Sequence, residues 1–260
     1  MNVLQALFLG FIQGITEFLP VSSSGHLEIG HHLLGVKTEN NLFFDVVVHV
    51  ATVLSTIVVF RKDIFELLKG LFAFKWNEPT IYISKLVFSA IPVLALGLFF
   101  KDYIEQLFTG NLLLVGSMLI FTAILLSLTQ FVHSNEGKIT FLKAFIIGLA
   151  QAIAVIPGIS RSGSTIATGL LLKNKKEDVA RFSFLMVLIP ILGAAFLDIL
   201  GGDVTSEQSI GAIPLLIGFL AAFFSGLLAC SWMIKIVKRG KLIYFAIYCL
   251  VIGVIAIFAA

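Results

Sequence analysis

The chain has 260 residues, 58% of them hydrophobic and only 13% charged, with a mean hydropathy of +1.04. The charged share is about half that of an average soluble domain, which excludes an ordinary water-soluble globule and points to a polytopic membrane protein. A net charge of +3 gives no reason to expect nucleic acid as a partner, and where the charges sit says more than their sum.

The first apolar region, residues 3–36, is too interrupted for a plain span. Its middle reads FLPVSSSGHL (18–27), with Glu17 just before it. Pro, Gly and Ser break a helix, so the region predicts two half-helices that enter and leave a bilayer on the same side. No Lys or Arg precedes Lys37, so the basic start of a signal peptide is missing and residues 1–20 are expected to be mature structure. His31 and His32 lie where this hairpin exits and are expected to be exposed.

Span 42–60 follows. Asp45 and His49, four residues apart, share one of its faces near the outer end. Residues 62–76 (KDIFELLKGLFAFKW) read as a short amphipathic helix on the membrane surface. Spans 80–100 and 111–130 come next, then a polar loop with His133. Region 141–172 is again broken, around PGISRSGST (157–165). Spans 182–200, 211–234 and 242–259 complete the chain, with the acidic stretch GGDVTSEQS (201–209) after the first of them. The expected fold is therefore all-α and polytopic, with six full transmembrane helices and two re-entrant broken-helix hairpins. Helices are required because a bilayer offers backbone groups no water partner. Cys230 and Cys249 lie in apolar runs with no CxxC partner and read as buried free thiols.

Most of the 18 basic residues fall in three places: the 61–79 loop, the flanks of the second hairpin, and residues 235–241. The positive-inside rule puts these on the cytoplasmic side, so both hairpins open outward and both termini lie outside. Lys37 and Lys101 are the exceptions, and Arg161 lies within the second hairpin.

Shifting the chain by 138 residues lays GFIQGITEFLPVSSSG (10–25) on GLAQAIAVIPGISRSG (148–163) without a gap. Gln13 meets Gln151, and Ser22, Ser24 and Gly25 meet Ser160, Ser162 and Gly163. Three spans separate the copies, and an odd number reverses orientation. The chain is thus expected to be one integral membrane domain, 1–260, made of inverted repeats of approximately 1–135 and 139–260, with a site where the broken helices meet.

Polar groups inside a membrane are costly unless they face a cavity or one another. Half-helix tips rich in Gly and Ser expose N–H groups and hydroxyls suited to anions, here Ser22, Ser24, Gly25, Gly158, Ser160, Ser162, Gly163 and Thr165. Arg161 adds a guanidinium fork that matches phosphate oxygens. Its repeat counterpart is Ser23, so one tip carries the cation and the other carries Glu17 and His26. Blander readings stand beside this: Arg161 pairing structurally with Glu17, His26 as a satisfied polar residue, and the serines as helix caps. GISRSGST lacks the Lys of a Walker loop, and no HExxH or Cys/His cluster signals zinc.

QGITEFLPVSSSGH (13–26) and PGISRSGST (157–165) resemble the two signatures of the undecaprenyl-diphosphatase family, the bacitracin-resistance phosphatases of bacteria. The first signature is Glu or Gln, three residues, Glu, then Pro-Val-Ser-Ser-x-Gly-His, which Gln13, Glu17 and Pro20–His26 match. The second matches throughout, and the likeness runs along the whole chain. It implies an enzyme of the bacterial cytoplasmic membrane whose site faces the periplasmic or outer side. Such an enzyme removes the terminal phosphate of undecaprenyl diphosphate. That recycles the carrier lipid for peptidoglycan synthesis and removes bacitracin's target. The resemblance also implies a divalent cation, magnesium or calcium, with Glu17 and Gln13 as its ligands and Glu17, Ser23, His26 and Arg161 as catalytic residues. Either His26 activates Ser23, or His26 itself takes the phosphoryl group. A homodimer is compatible with the sequence. The competing expectation is an inverted-repeat transporter or flippase of a polyprenyl phosphate or small anion, which would need binding groups but no nucleophile.

Overall fold

The computed structural model describes residues 1–36, 42–100, 103–104, 106–107, 110–132, 136–193 and 210–260. Among these the chain is helical, with one isolated bridge between Gly137 and Asn174 and no strand. Both broken regions break where Pro, Gly and Ser cluster. The first gives α1 (Val3–Phe18) and α2 (Ser23–Leu33). The second gives α7 (Phe141–Ile153) and α8 (Arg161–Leu171).

Between them lie α3 (Leu42–Val59), α4 (Arg61–Leu71), α5 (Glu78–Phe99) and α6 (Leu112–Leu128). After them come α9 (Lys176–Met186), α10 (Ala212–Arg239) and α11 (Ile243–Phe258). Side chains in the sequence set the starts. Asn2 caps α1 in a capping box, accepting from the Gln5 N–H while its own N–H donates to Gln5 Oε1, each at 2.8 Å. Asn77, Asn111 and Thr140 cap α5, α6 and α7. Gly240, in the left-handed region at φ 69°, ends α10.

Among the described residues, three helices are long and apolar enough to cross a bilayer: α5, α6 with its short 3₁₀ extension to Phe131, and α10. A fourth crossing arises if α3 and α4, bent by 76° at Phe60, count as one span. The helix α11 matches expected span 242–259 in position, but at 16 residues it is shorter than a full span. For the span expected at 182–200, α9 ends at Met186 and residues 188–193 are helical; residues 194–200 lie outside the described residues. So do Lys37, Lys101, His133 and the acidic stretch 201–209. The amphipathic surface helix expected at 62–76 is α4, which buries Leu67 and exposes Phe65 and Leu68.

Packing follows the membrane rule that small residues let backbones approach. Gly10 of α1 lies against the Gly218 backbone of α10, and a Cβ at Gly116 of α6 would run into the Gly253 carbonyl of α11. The main apolar core gathers Phe18, Phe60, Phe182, Phe184, Ile147, Ile166 and Met233. Phe18 meets Phe184 edge-on at 5.8 Å between ring centroids, which anchors the end of α1 on α9. Leu4, Leu142, Phe224 and Leu228 point outward. In water such a belt would drive association; in lipid it costs nothing.

Candidate active site

The two breaks meet in the interior. Gly158, at φ 93°, sits against Val115 and Met118 of α6, where a side chain would overlap both. That close approach lets the second break reach the first. A Cβ at Gly25 would come within 3.1 Å of Gly158 Cα, and one at Gly163 within 3.3 Å of Pro20 Cβ. Ser162 Oγ donates to the Leu19 carbonyl at 2.9 Å, tying tip to tip.

Both tips are built alike. Ser22 Oγ accepts from the Gly25 N–H at 3.2 Å, and Ser160 Oγ accepts from the Gly163 N–H at 3.0 Å. Ser22 and Ser24 hydroxyls lie 3.3 Å apart, as do those of Ser160 and Ser162. Each contact recurs at the same 138-residue offset. The serines therefore cap α2 and α8, as the plain reading allowed, and the helix N-termini they hold face the junction. Ser22 does so at φ 68°, a costly conformation for a side-chain-bearing residue.

At the junction the unlike residues come together. Arg161 Nη2 donates to Glu17 Oε1 at 2.5 Å. Glu17 Oε2 accepts from Ser23 Oγ at 2.7 Å and from Gln13 Nε2 at 3.0 Å, and His49 Nε2 stands 3.7 Å away. Glu17 is 8% exposed and the Arg161 side chain 16%, so this is a largely buried ion pair with a hydroxyl bound to its free oxygen. Such a pair is retained for its geometry more than for net stability, since both ions lose solvation. A diphosphate offers Arg161 oxygens of higher charge than one carboxylate, so the pairing does not exclude anion binding.

Gln13 is fully buried, and its Oε1 has no hydrogen-bond partner. A buried acceptor without a donor, beside a carboxylate, is a position that a cation satisfies. The donor set therefore fits a divalent ion held by Gln13 Oε1 and Glu17. Among the described residues there is no cluster of three or more His, Cys, Asp or Glu side chains.

His26 does not touch Ser23 through its ring. Its Nδ1 lies 2.8 Å from the Ser22 carbonyl and its Nε2 2.8 Å from the Tyr248 hydroxyl. The expected pairing of Ser23 with His26 as base is replaced, in this geometry, by Ser23 with Glu17. The reason is the first turn of α2. It bends the His26 ring back over the Ser22 carbonyl, while the preceding Ser23 side chain faces α1. Thr165 is fully buried; its hydroxyl donates to the Arg161 carbonyl at 2.9 Å and lies 2.5 Å from Ser183 Oγ. It braces α8 against α9, and Arg161 Nη1 donates to the Ser183 carbonyl at 3.4 Å.

The sequence did not single out Thr122, Ser183 or Tyr248. Thr122 Oγ1 accepts from the Ser160 N–H at 3.0 Å and donates to the Gly158 carbonyl at 3.2 Å, so α6 fixes the second break. His31, expected to be exposed, is buried and lies 3.2 Å from Asp45 Oδ1, because α3 packs its polar face against the first hairpin. Asp45 and His49 line this region, with His49 Nδ1 donating to the Asp45 carbonyl at 2.7 Å.

Residues 6–255 match the family model described as bacitracin resistance protein BacA. The chain is 56% identical to an undecaprenyl-diphosphatase of Bacteroides thetaiotaomicron, over 99% of this chain and 98% of the relative. It is 55% identical to the undecaprenyl-diphosphatase of Parabacteroides distasonis over the same shares. The likeness holds at distance: an undecaprenyl-diphosphatase of Carboxydothermus hydrogenoformans is 40% identical over 98% of this chain and 96% of its own length. With two tips built alike, a buried Glu–Arg pair between them and a match that spans nearly every residue, the chain belongs to the bacitracin resistance protein BacA family.

Proposed function

We propose that this membrane protein hydrolyses undecaprenyl diphosphate to undecaprenyl phosphate and inorganic phosphate at the junction of the two breaks. Recycling of the carrier lipid and bacitracin resistance follow from that activity. The observation that carries the mechanism is the Ser23 hydroxyl bound to Glu17 at 2.7 Å, with Arg161 on the other carboxylate oxygen.

Phosphoryl transfer is mostly positioning and charge stabilisation. The diphosphate draws Arg161 off Glu17 and lies along the N-termini of α2 and α8, whose N–H groups and serine hydroxyls receive its oxygens. Glu17, freed from the guanidinium, takes the Ser23 proton. Ser23 Oγ bonds to the terminal phosphorus as the bridging P–O bond breaks, and undecaprenyl phosphate leaves with that electron pair. Glu17 passes that proton to the departing undecaprenyl phosphate. Water then cleaves the phosphoserine, its hydroxyl going to phosphorus and its proton to the Ser23 oxygen, so Glu17 and Ser23 both return to their starting states. Gln13 Oε1 and Glu17 would hold a divalent cation, which when bound supplies charge neutralisation at the diphosphate.

The finer architecture belongs to the same reading. The shared caps, the shared serine contacts and the close approaches at Gly10 and Gly148 support inverted repeats in six spans and two re-entrant hairpins. The basic loops support a site that opens to the outer face of the cytoplasmic membrane.

The test is phosphate release from undecaprenyl diphosphate by purified protein in detergent, with magnesium and again with chelator. Glu17→Ala and Arg161→Ala are run alongside. Cation-dependent release that both substitutions abolish is the expected result. A folded wild-type protein that binds the lipid and releases no phosphate would move the reading to a transporter.

A further inference from the structure

His26 carries no step of this reaction, yet both of its ring nitrogens are engaged at 2.8 Å. A carbonyl oxygen can only accept, so the 2.8 Å contact to Ser22 puts the proton on Nδ1. In that tautomer Nε2 has a lone pair, and the Tyr248 hydroxyl 2.8 Å away must be its donor. The two rings lie nearly parallel, 11° apart, with centroids at 5.6 Å. The first turn of α2 thus sets the tautomer through Ser22, while the far nitrogen and the ring face are held from outside α2 by Tyr248.

Tyr248 comes from α11, 222 residues along the chain from His26. The next residue of α11 makes a parallel contact: the buried Cys249 thiol donates to the Pro20 carbonyl at 3.5 Å. Two successive residues of the last helix therefore grip the same break, one at its start and one at the first turn after it. A tyrosine kept only as an aromatic anchor at the membrane interface would leave its hydroxyl to water and headgroups. Here the hydroxyl sits on an imidazole of the site.

We propose that Tyr248 is the positioning residue for His26 in the phosphatase reaction. Its hydroxyl, donating to Nε2, reinforces the Nδ1–H tautomer that the Ser22 carbonyl selects and holds that nitrogen on α11, which leaves the Glu17 carboxylate to Ser23. The inference rests on the reading that His26 takes part in the site.

The experiment compares Tyr248→Phe, His26→Ala and the double variant for phosphate release from undecaprenyl diphosphate in detergent. Histidine labelled with ¹⁵N reports the tautomer in the wild type and in Tyr248→Phe. Phenylalanine keeps the ring and loses only the hydroxyl, and Tyr248 is 42% exposed, so the fold is not at issue. Loss of one hydrogen bond to a working group predicts a kcat about three- to tenfold lower with KM little changed. His26→Ala is expected to fall further, with the double variant no worse than His26→Ala alone. The Nε2 resonance of His26 is expected to shift in Tyr248→Phe. Unchanged kcat in Tyr248→Phe beside an inactive His26→Ala would overturn the inference and leave the site reading standing. So would a Tyr248→Phe loss that multiplies fully onto His26→Ala. A His26→Ala enzyme as active as wild type would instead overturn the role of His26 in the site, and the inference with it.

Discussion

Glu17 is the residue on which the two halves of the site converge. It binds Arg161 through one oxygen and Ser23 and Gln13 through the other. Each partner predicts a different defect. Ser23→Ala removes the oxygen proposed to attack while keeping the cap of α2, which belongs to Ser22; phosphate release should fall on the order of 10³-fold or more with lipid binding retained. Arg161→Lys keeps the charge and loses the fork, so it should retain more activity than Arg161→Ala, with most of the difference in kcat. Gln13→Glu places a second carboxylate four residues before Glu17. The pair repels when no cation is present, so titration of phosphate release with magnesium should reach half-saturation at lower concentration than in the wild type. These residues were legible in the sequence because each lies within a few positions of a helix break, where a polar group has to be explained. His49, legible in the sequence only as sharing a helix face with Asp45, reaches the same junction from an intact helix, as do Tyr248 and Thr122, which the sequence did not mark. In an apolar span a single polar residue fits several surroundings, and only the packing of α3, α6 and α11 decides which.

Among the elements, the breaks carry the design. The half-helices α2 and α8 each start on a serine cap that supplies one acceptor to four otherwise unpaired N–H groups. Their positions could be read from Pro20 and Pro157 and the Gly and Ser after them, since neither stretch can continue a helix. The bend between α3 and α4 was legible as a change from an apolar run to a charged amphipathic one at Arg61. Helix lengths were less so: α11 stops at 16 residues although the apolar run continues to the end of the chain. Composition marks what can enter lipid, whereas helix ends follow caps and neighbours. Gly158 gives the test at this scale. Alanine there must adopt φ near 93° and overlap the Val115 carbonyl. A cost of about 1–3 kcal/mol from the backbone alone is expected. Thermal unfolding in detergent should show a lower Tm, and activity should fall as the tips separate. Ser160→Ala, which removes the cap of α8 and the contact to the Ser162 hydroxyl without backbone strain, should cost about 1 kcal/mol. Equal stability of Gly158→Ala and wild type would mean that the second break does not depend on that close approach.

The whole molecule sets a polar junction inside an apolar shell, and its use depends on which side of the membrane the junction opens to. Recycling a diphosphate lipid at the outer face requires that the basic loops stay inside. The helix α4, the start of α9 and the end of α10 hold Lys69, Lys175 and Lys238, while Gln106 lies beyond α5 at the other end. Lys69, Lys175 and Gln106 are exposed, and the native Cys230 and Cys249 are buried, so the wild-type background to thiol labelling is low. Single Lys69→Cys, Lys175→Cys and Gln106→Cys variants, treated with a membrane-impermeant maleimide on intact spheroplasts, separate the two orientations. Labelling of Gln106→Cys alone, with the other two reacting only after lysis, is the outcome the charge distribution predicts. The reverse pattern would turn the junction toward the cytoplasm, where it would meet lipid that has not yet crossed to the outer leaflet. Equal labelling at all three positions would mean that the chain inserts both ways, as inverted repeats with little charge bias can. The clustering of basic residues at one end is what argues against that result.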